Sequence, residues 1–268
     1  MMSKGQTSRL TAQHVSSGGV VGIFGEGAQV HDKAVGRASL KVLEALKLAH
    51  PLYQFRIRAA IKKQEINEKL KSIDERLGET LYLKDSEIRP DGGVIEVLDK
   101  EKKWRVILVG EAKFQGKDVE NIKAGILVGK KKDQQLMAAG NAIERVFKNI
   151  SEVRNYMLDE YHFPYVVFLQ GSNFAIETFQ VFKPDGTFVT IRHDLGSLNR
   201  IDRVTAANYC MKINNNYCKN IFIAHSKSSI MLQAASIYAR CDPWEAEEMQ
   251  EIMWEVASTS MGILNQLG

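Results

Sequence analysis

At 268 residues with 44% apolar side chains, the chain is long enough for one large domain or two small ones around a substantial core. No apolar run reaches the roughly 18 residues of a membrane span, the start Met1-Met2-Ser3-Lys4 lacks an apolar signal core, and Cys210, Cys218 and Cys241 have neither the number for a disulfide framework nor a paired metal-ligand spacing, so an intracellular protein is expected. The net charge of +4 is unevenly spread: six of the 32 acids lie in residues 241–268, where there is no Lys or Arg, so the first 240 residues carry 36 bases against the other 26 acids, a balance compatible with a polyanionic partner.

Residues 1–19 are polar, contain Ser16-Ser17-Gly18-Gly19, and read as a flexible arm. Gly22-Ile23-Phe24-Gly25-Glu26-Gly27 has the wrong glycine order for a dinucleotide fingerprint. His31–Leu48 has helical apolar spacing through Ala34, Val35, Ala38, Val42 and Leu46. A second helix is predicted from about Ile57 to Leu70, rich in bases (Arg58, Lys62, Lys63, Lys69) that are either a solvated face or a polyanion-facing one. Gly93–Leu98 and Trp104–Gly110 read as two strands joined by the charged turn Asp99–Lys103. Gly125-Ile126-Leu127-Val128-Gly129-Lys130-Lys131 has too short a glycine spacing for a P-loop, although its lysines can still meet a nucleic-acid backbone. Asn141–Leu158 is helical, and the all-apolar Tyr165–Leu169 is a strand buried on both faces. Thr178–Phe182 and Thr187–Ile191 flank a Pro-Asp-Gly turn and form a hairpin that can leave the core. Helices are predicted over Asn199–Tyr209, Ser228–Ala239 and Trp244–Met261.

The chemistry concentrates on Asp91, Glu111 and Lys113. With the turn centred on Glu101, position 91 falls opposite 111, and directly opposed residues of an antiparallel pair share a face, about 5 Å apart. Lys113 shares the face of Glu111 because strand side chains alternate. Two carboxylates and a lysine in one place suit a divalent ion and a water held against a phosphodiester, Mg²⁺ being a hard cation that takes oxygen ligands. A D…ExK string also turns up by chance in many chains, so a chance occurrence with no catalytic role is the alternative. Met137–Arg145 and Asn199–Arg203 combine small residues with Asn and Arg, which pair bidentately with adenine and guanine; a helix cap with surface salt bridges is the other reading.

Taken together, Pro90-Asp91-Gly92-Gly93, Glu111-Ala112-Lys113, Met137–Arg145 and Asn199–Tyr209 resemble the EcoRI-type family of type II restriction endonucleases, the PD-(D/E)xK nucleases, with similarity running from Arg9 through Ser260. The resemblance implies an α/β fold with a central mixed five-stranded sheet flanked by helices, in one domain over residues 1–268 whose residues 1–19 and 177–191 are DNA-wrapping arms. It implies a bacterial cytoplasmic homodimer that binds the palindrome GAATTC in double-stranded DNA and, with Mg²⁺, cuts both strands after G to leave 5′-phosphates and 5′ overhangs. A methyltransferase of the same restriction–modification system would protect host DNA.

By that resemblance Asp91 and Glu111 hold the metal while Lys113 positions or activates the water. Asn141, Ala142, Arg145, Arg200 and Arg203 meet the bases, and Met137 and Ala138 lie in the major groove. Glu144 and Arg145 link the subunits, and Arg56, Lys62, Lys63, Arg89, Lys117, Lys130 and Lys148 follow the DNA backbone. Two other readings stay open: a related nuclease with another target, and a DNA-binding protein that no longer cleaves. The sequence departs from the family at Phe114 and Phe147, where histidines are expected, at Gln135, where an acid is expected, and at Arg192-His193, which replaces an acidic-aromatic pair.

Overall fold

The structure, a computed structural model, describes residues 26–77, 85–128, 140–175, 178–191, 207–209 and 218–267. Residues 1–19, Lys130, Gln135, Met137, Ala138, Arg192, His193, Arg200 and Arg203 lie outside them.

Helix α1 (Glu26–Ala49) buries Ala34, Val35, Ala38, Val42 and Leu46, the stripe read from the sequence. It stops just ahead of Pro51, which disfavours helical backbone at the residue before it. The predicted helix from Ile57 to Leu70 is helical only in its second half. Gln54–Arg58 is a strand, β1, followed by the short β2 (Ile61–Lys62) and then helix α2 (Lys63–Ile73). Phe55 and Ile57 alternate with Arg56 and Arg58, and the arginines face Glu96, a buried carboxylate on the neighbouring strand. Helix α2 starts where the Glu65 side chain accepts the Lys62 backbone N–H at 3.0 Å.

Strands β3 (Glu87–Ile88), β4 (Gly93–Leu98) and β5 (Trp104–Phe114) follow, then helices α3 (Asp118–Lys123) and α4 (Gly140–Tyr156), strand β6 (Tyr165–Gln170) and the hairpin β7 (Phe179–Phe182) and β8 (Phe188–Ile191). The chain continues through β9 (Ala207–Tyr209), β10 (Ile221–His225), β11 (Ser228–Leu232), β12 (Ala235–Arg240) and helix α5 (Ala246–Leu267). The helix predicted over Ser228–Ala239 is therefore two strands. Ala235–Ala239 is buried on both faces of the sheet, and such a run carries no period to separate it from a buried helix. Of the helix predicted over Asn199–Tyr209, Ala207–Tyr209 is strand; the rest falls outside the described residues.

The main sheet has the order β1-β4-β5-β6-β12-β9. The pairs β1–β4 and β4–β5 are antiparallel; β5–β6, β6–β12 and β12–β9 are parallel. The expected mixed five-stranded sheet is present, with the three-residue β9 added as a sixth strand at one edge. One face packs on α1 and α5 through Val42, Leu46, Met253 and Val256 against Ile95, Ile107, Leu108 and Phe168. The other packs on α2 and α4 through Ile66, Val146, Ile150 and Val153 against Val94, Val109 and Val167. The β7–β8 hairpin forms a separate ribbon whose Val181 and Ile191 pack with Val119 and Ile122 of α3.

The β4–β5 register changes partway along. Near the turn, Leu98 pairs with Trp104 and Glu96 with Val106, as a turn centred on Glu101 requires. Beyond Ile95 the pairing slips by one, so that Ile95 faces Leu108 and Gly93 faces Gly110. A β-bulge causes the slip: Ile107 and Leu108 both pack on the α1–α5 side, while Val106 and Val109 pack on the α2–α4 side. The bulge inverts the alternation beyond it, which turns Glu111 and Lys113 toward α4. Position 91 then comes opposite Ala112 rather than Glu111.

Candidate active site

Pro90–Gly93 is a tight turn closed by the Gly93 N–H to the Pro90 carbonyl at 2.9 Å. Gly93 has φ +73°, and a Cβ there would lie 2.8 Å from the Arg58 carbonyl. A Cβ on Gly92 would meet Ser39 Oγ at 2.8 Å and the Gly110 backbone at 3.1 Å. The two glycines thus let the turn lie flat on the sheet, and Asp91 beside them faces the end of β5. Its Oδ2 accepts the Ala112 N–H at 3.2 Å and Lys113 Nζ at 2.5 Å.

Lys113 Nζ spends its three protons on Asp91 Oδ2, Glu111 Oε1 and the Ala112 carbonyl. The three residues converge as expected, although through the lysine and the slipped register rather than by direct opposition of the two acids. Glu111 is fully buried. Its Oε1 also accepts Asn149 Nδ2 at 3.0 Å, and its Oε2 accepts the Tyr165 hydroxyl at 3.3 Å. Burial, against the pull of Lys113 and with the help of Asp91, pushes the Glu111 carboxyl up to about 7. Burial also works against the charge on Lys113, but Glu111 and Asp91 outweigh it and hold the ammonium above its ordinary pKa.

Sequence reasoning misses Asn149 and Tyr165. Their only signals are a phenol opening an otherwise apolar strand and an amide beside the buried stripe Val146, Ile150 and Val153. Helix α1 adds His31, whose Nε2–H donates to the Phe168 carbonyl at 3.0 Å, and Asp32, which burial and the neighbouring Asp91 charge raise to about 6.

Asn141 lies in the first turn of α4, and Glu144 and Arg145 are exposed on that helix. Ala142, expected at the bases, is 4% exposed: it packs against the sheet, so its methyl is already covered. Among the expected backbone cations, Lys62, Arg89, Lys117 and Lys148 are exposed. Arg56 pairs with buried Glu96 at 2.5 Å and lies 4.1 Å over the Trp104 ring. Lys63 pairs with Glu152 and Arg89 with Glu87. Phe114 lies where a Cβ on Gly27 would touch its ring at 3.2 Å, and Phe147 is exposed on α4.

The chain matches the family model described as restriction endonuclease EcoRI over residues 17–267. It is 55% identical over 268 residues to the type II restriction enzyme EcoRI of Escherichia coli, covering 99% of this chain and 97% of that one. It is 54% identical over 261 residues to the type II restriction enzyme RsrI of Cereibacter sphaeroides, covering 97% and 94%.

Proposed function

Since this chain belongs to the EcoRI restriction endonuclease family and is a sequence-specific type II endonuclease, we propose that a homodimer of it cuts GAATTC after G in both strands with Mg²⁺ as cofactor. The convergence of Asp91 and Glu111 on one ammonium carries the catalytic part of this reading.

The residues fit the ion. Both carboxylates offer hard oxygen donors, and Glu111 Oε2 keeps a lone pair after accepting from Tyr165. Among the described residues no cluster of three or more acids, histidines or cysteines forms a metal cage. Mg²⁺ needs none, because it keeps waters and is typically bound by one or two carboxylates plus substrate phosphate. Asp91 and Glu111 would hold the ion, which when bound supplies Lewis acidity at the scissile phosphate and offsets charge on the departing 3′ oxygen.

Lys113 keeps its proton between two carboxylates, so by exchanging one of its three present acceptors it suits donation to a phosphate oxygen or to the attacking water rather than removal of that water's proton. Water adds to phosphorus and the bond to the 3′ oxygen breaks, giving a 3′-hydroxyl and a 5′-phosphate. Asn141 and Arg145 at the start of α4, with Arg200 and Arg203, are the proposed base readers, and Glu144 with Arg145 the proposed link between subunits. Exposed Lys62, Lys117 and Lys148 are the described cations best suited to phosphates. A host would need a methyltransferase for the same sites.

A plasmid bearing one GAATTC, incubated with the protein and Mg²⁺, is expected to be linearised at that site with 5′ overhangs. Cuts at another sequence would overturn the specificity, and intact plasmid the nuclease reading.

A further inference from the structure

We propose that Asn149 and Tyr165 are positioning residues that fix the orientation of the Glu111 carboxylate for cleavage, an inference that rests on the catalytic reading of Glu111 given above. Each oxygen of that carboxylate has its own neutral donor: Asn149 Nδ2 at 3.0 Å on Oε1 and the Tyr165 hydroxyl at 3.3 Å on Oε2. Lys113 alone would not fix the group, because the same ammonium also draws on Asp91 and the Ala112 carbonyl. Neutral donors hold the carboxylate without cancelling its charge, which stays available to a cation.

Both donors are themselves held. Tyr165 opens β6, aligned with Val109 of β5 and so on the Glu111 face, and its ring stacks on Phe163 at 5.6 Å. Asn149 lies one turn after Arg145 on α4, between buried Val146 and Ile150. The helix that begins with the proposed base readers therefore also grips the proposed metal ligand, so its placement on the sheet bears directly on Glu111.

The test compares Tyr165→Phe, Asn149→Ala and Asn149→Gln with the wild type in three measurements: metal-free affinity for the specific duplex, Mn²⁺ binding to the protein–DNA complex by spin resonance, and single-turnover cleavage. Tyr165→Phe and Asn149→Ala should bind DNA at near wild-type strength, yet hold Mn²⁺ and cleave about 10–100-fold more weakly, the usual cost of losing a partner of a metal-ligating carboxylate. Asn149→Gln, which keeps the amide, should recover part of both. Wild-type Mn²⁺ affinity and cleavage in Asn149→Ala overturn the proposal; so does an equal loss of DNA binding and cleavage, which would mark a phosphate-binding role or a folding defect. Asn149 is only half-buried, so its variants remain informative if Tyr165→Phe proves unstable. The substrate is whichever duplex the wild type cuts, so a target other than GAATTC would overturn the earlier reading and leave this comparison intact.

Discussion

At the residue scale, Glu111 shows the candidate active site working against stability. A fully buried carboxylate beside a second one is costly to ionise, and burial raises its pKa from 4.5 to about 7. Its folded pKa lies above its unfolded one, so stability present below pH 4.5 is lost as pH rises toward 7. Glu111→Gln keeps the shape and removes that cost. At pH 8 it should be more stable than the wild type, by something on the order of 1–3 kcal/mol, while cleavage disappears and specific DNA binding persists. Asp91→Asn should likewise bind and not cut. Chemical denaturation with single-turnover assays checks both. Mg²⁺-dependent cutting by either variant would remove that carboxylate from the proposed metal site. Lys113→Met, which strips one charged donor, should slow cleavage about 100–1000-fold. It should also destabilise the fold, because two acids then face each other without their shared cation.

At the element scale, α1 and α4 were legible because their apolar residues keep a clean helical period, and the β4–β5 hairpin because two β-branched apolar runs flank a charged turn. The convergence of Asp91, Glu111 and Lys113 was legible for another reason: charges at the end of an otherwise apolar strand are costly to bury and call for partners. What stayed hidden lacked a local signal. β1 alternates Phe and Ile with Arg, and those arginines read as a helix face until Glu96 is seen opposite them. β12, buried on both faces, has no period at all. The β5 bulge leaves two adjacent aliphatics, Ile107 and Leu108, which a sequence cannot assign to one face. It nevertheless decides that Glu111 and Lys113 point toward α4. Beside the bulge, buried His162 donates Nε2–H to the Val106 carbonyl at 2.9 Å, and its Nδ1 has no partner among the described residues. Burial lowers its pKa to about 4, against the Val106 bond. A depressed folded pKa means stability present above about 6.5 is lost as pH falls toward 4, at most about 3 kcal/mol. His162→Gln should flatten the acid side of a urea-denaturation profile across that window, and parallel wild-type and variant profiles would rule the histidine out. On α4, Asn141→Ala should cost about 1–3 kcal/mol of discrimination at one base pair. A loss of affinity equal on specific and random duplexes would reassign Asn141 to the backbone.

At the scale of the whole molecule, the charge asymmetry has a structural side. The acidic C-terminal helix α5 lies on the α1 face of the sheet, where Glu247 meets Lys41, while Glu248 closes on Arg240 of β12. The proposed base-reading helix α4 lies on the opposite face, with Lys148 exposed on it and Lys62 exposed at the start of neighbouring α2. A polyanion approaching the α4 side therefore meets bases without crossing the acidic helix. Not every basic residue there is available to it. Arg56 is committed to buried Glu96 and to the Trp104 ring, so its removal should lower the unfolding midpoint by leaving that carboxylate to Arg58 alone. Lys62→Ala and Lys148→Ala should leave the midpoint unchanged and act on binding instead. Removing one cation that neutralises a phosphate reduces the slope of log affinity against log salt by about 0.9. The weakening should be the same on GAATTC and on random DNA, because phosphates carry no sequence. Titrations at several salt concentrations, with thermal unfolding of all three variants, separate the two kinds of cation. An unchanged slope for Lys62→Ala would make its surroundings a solvated face, and an unchanged midpoint for Arg56→Ala would return that arginine to the DNA.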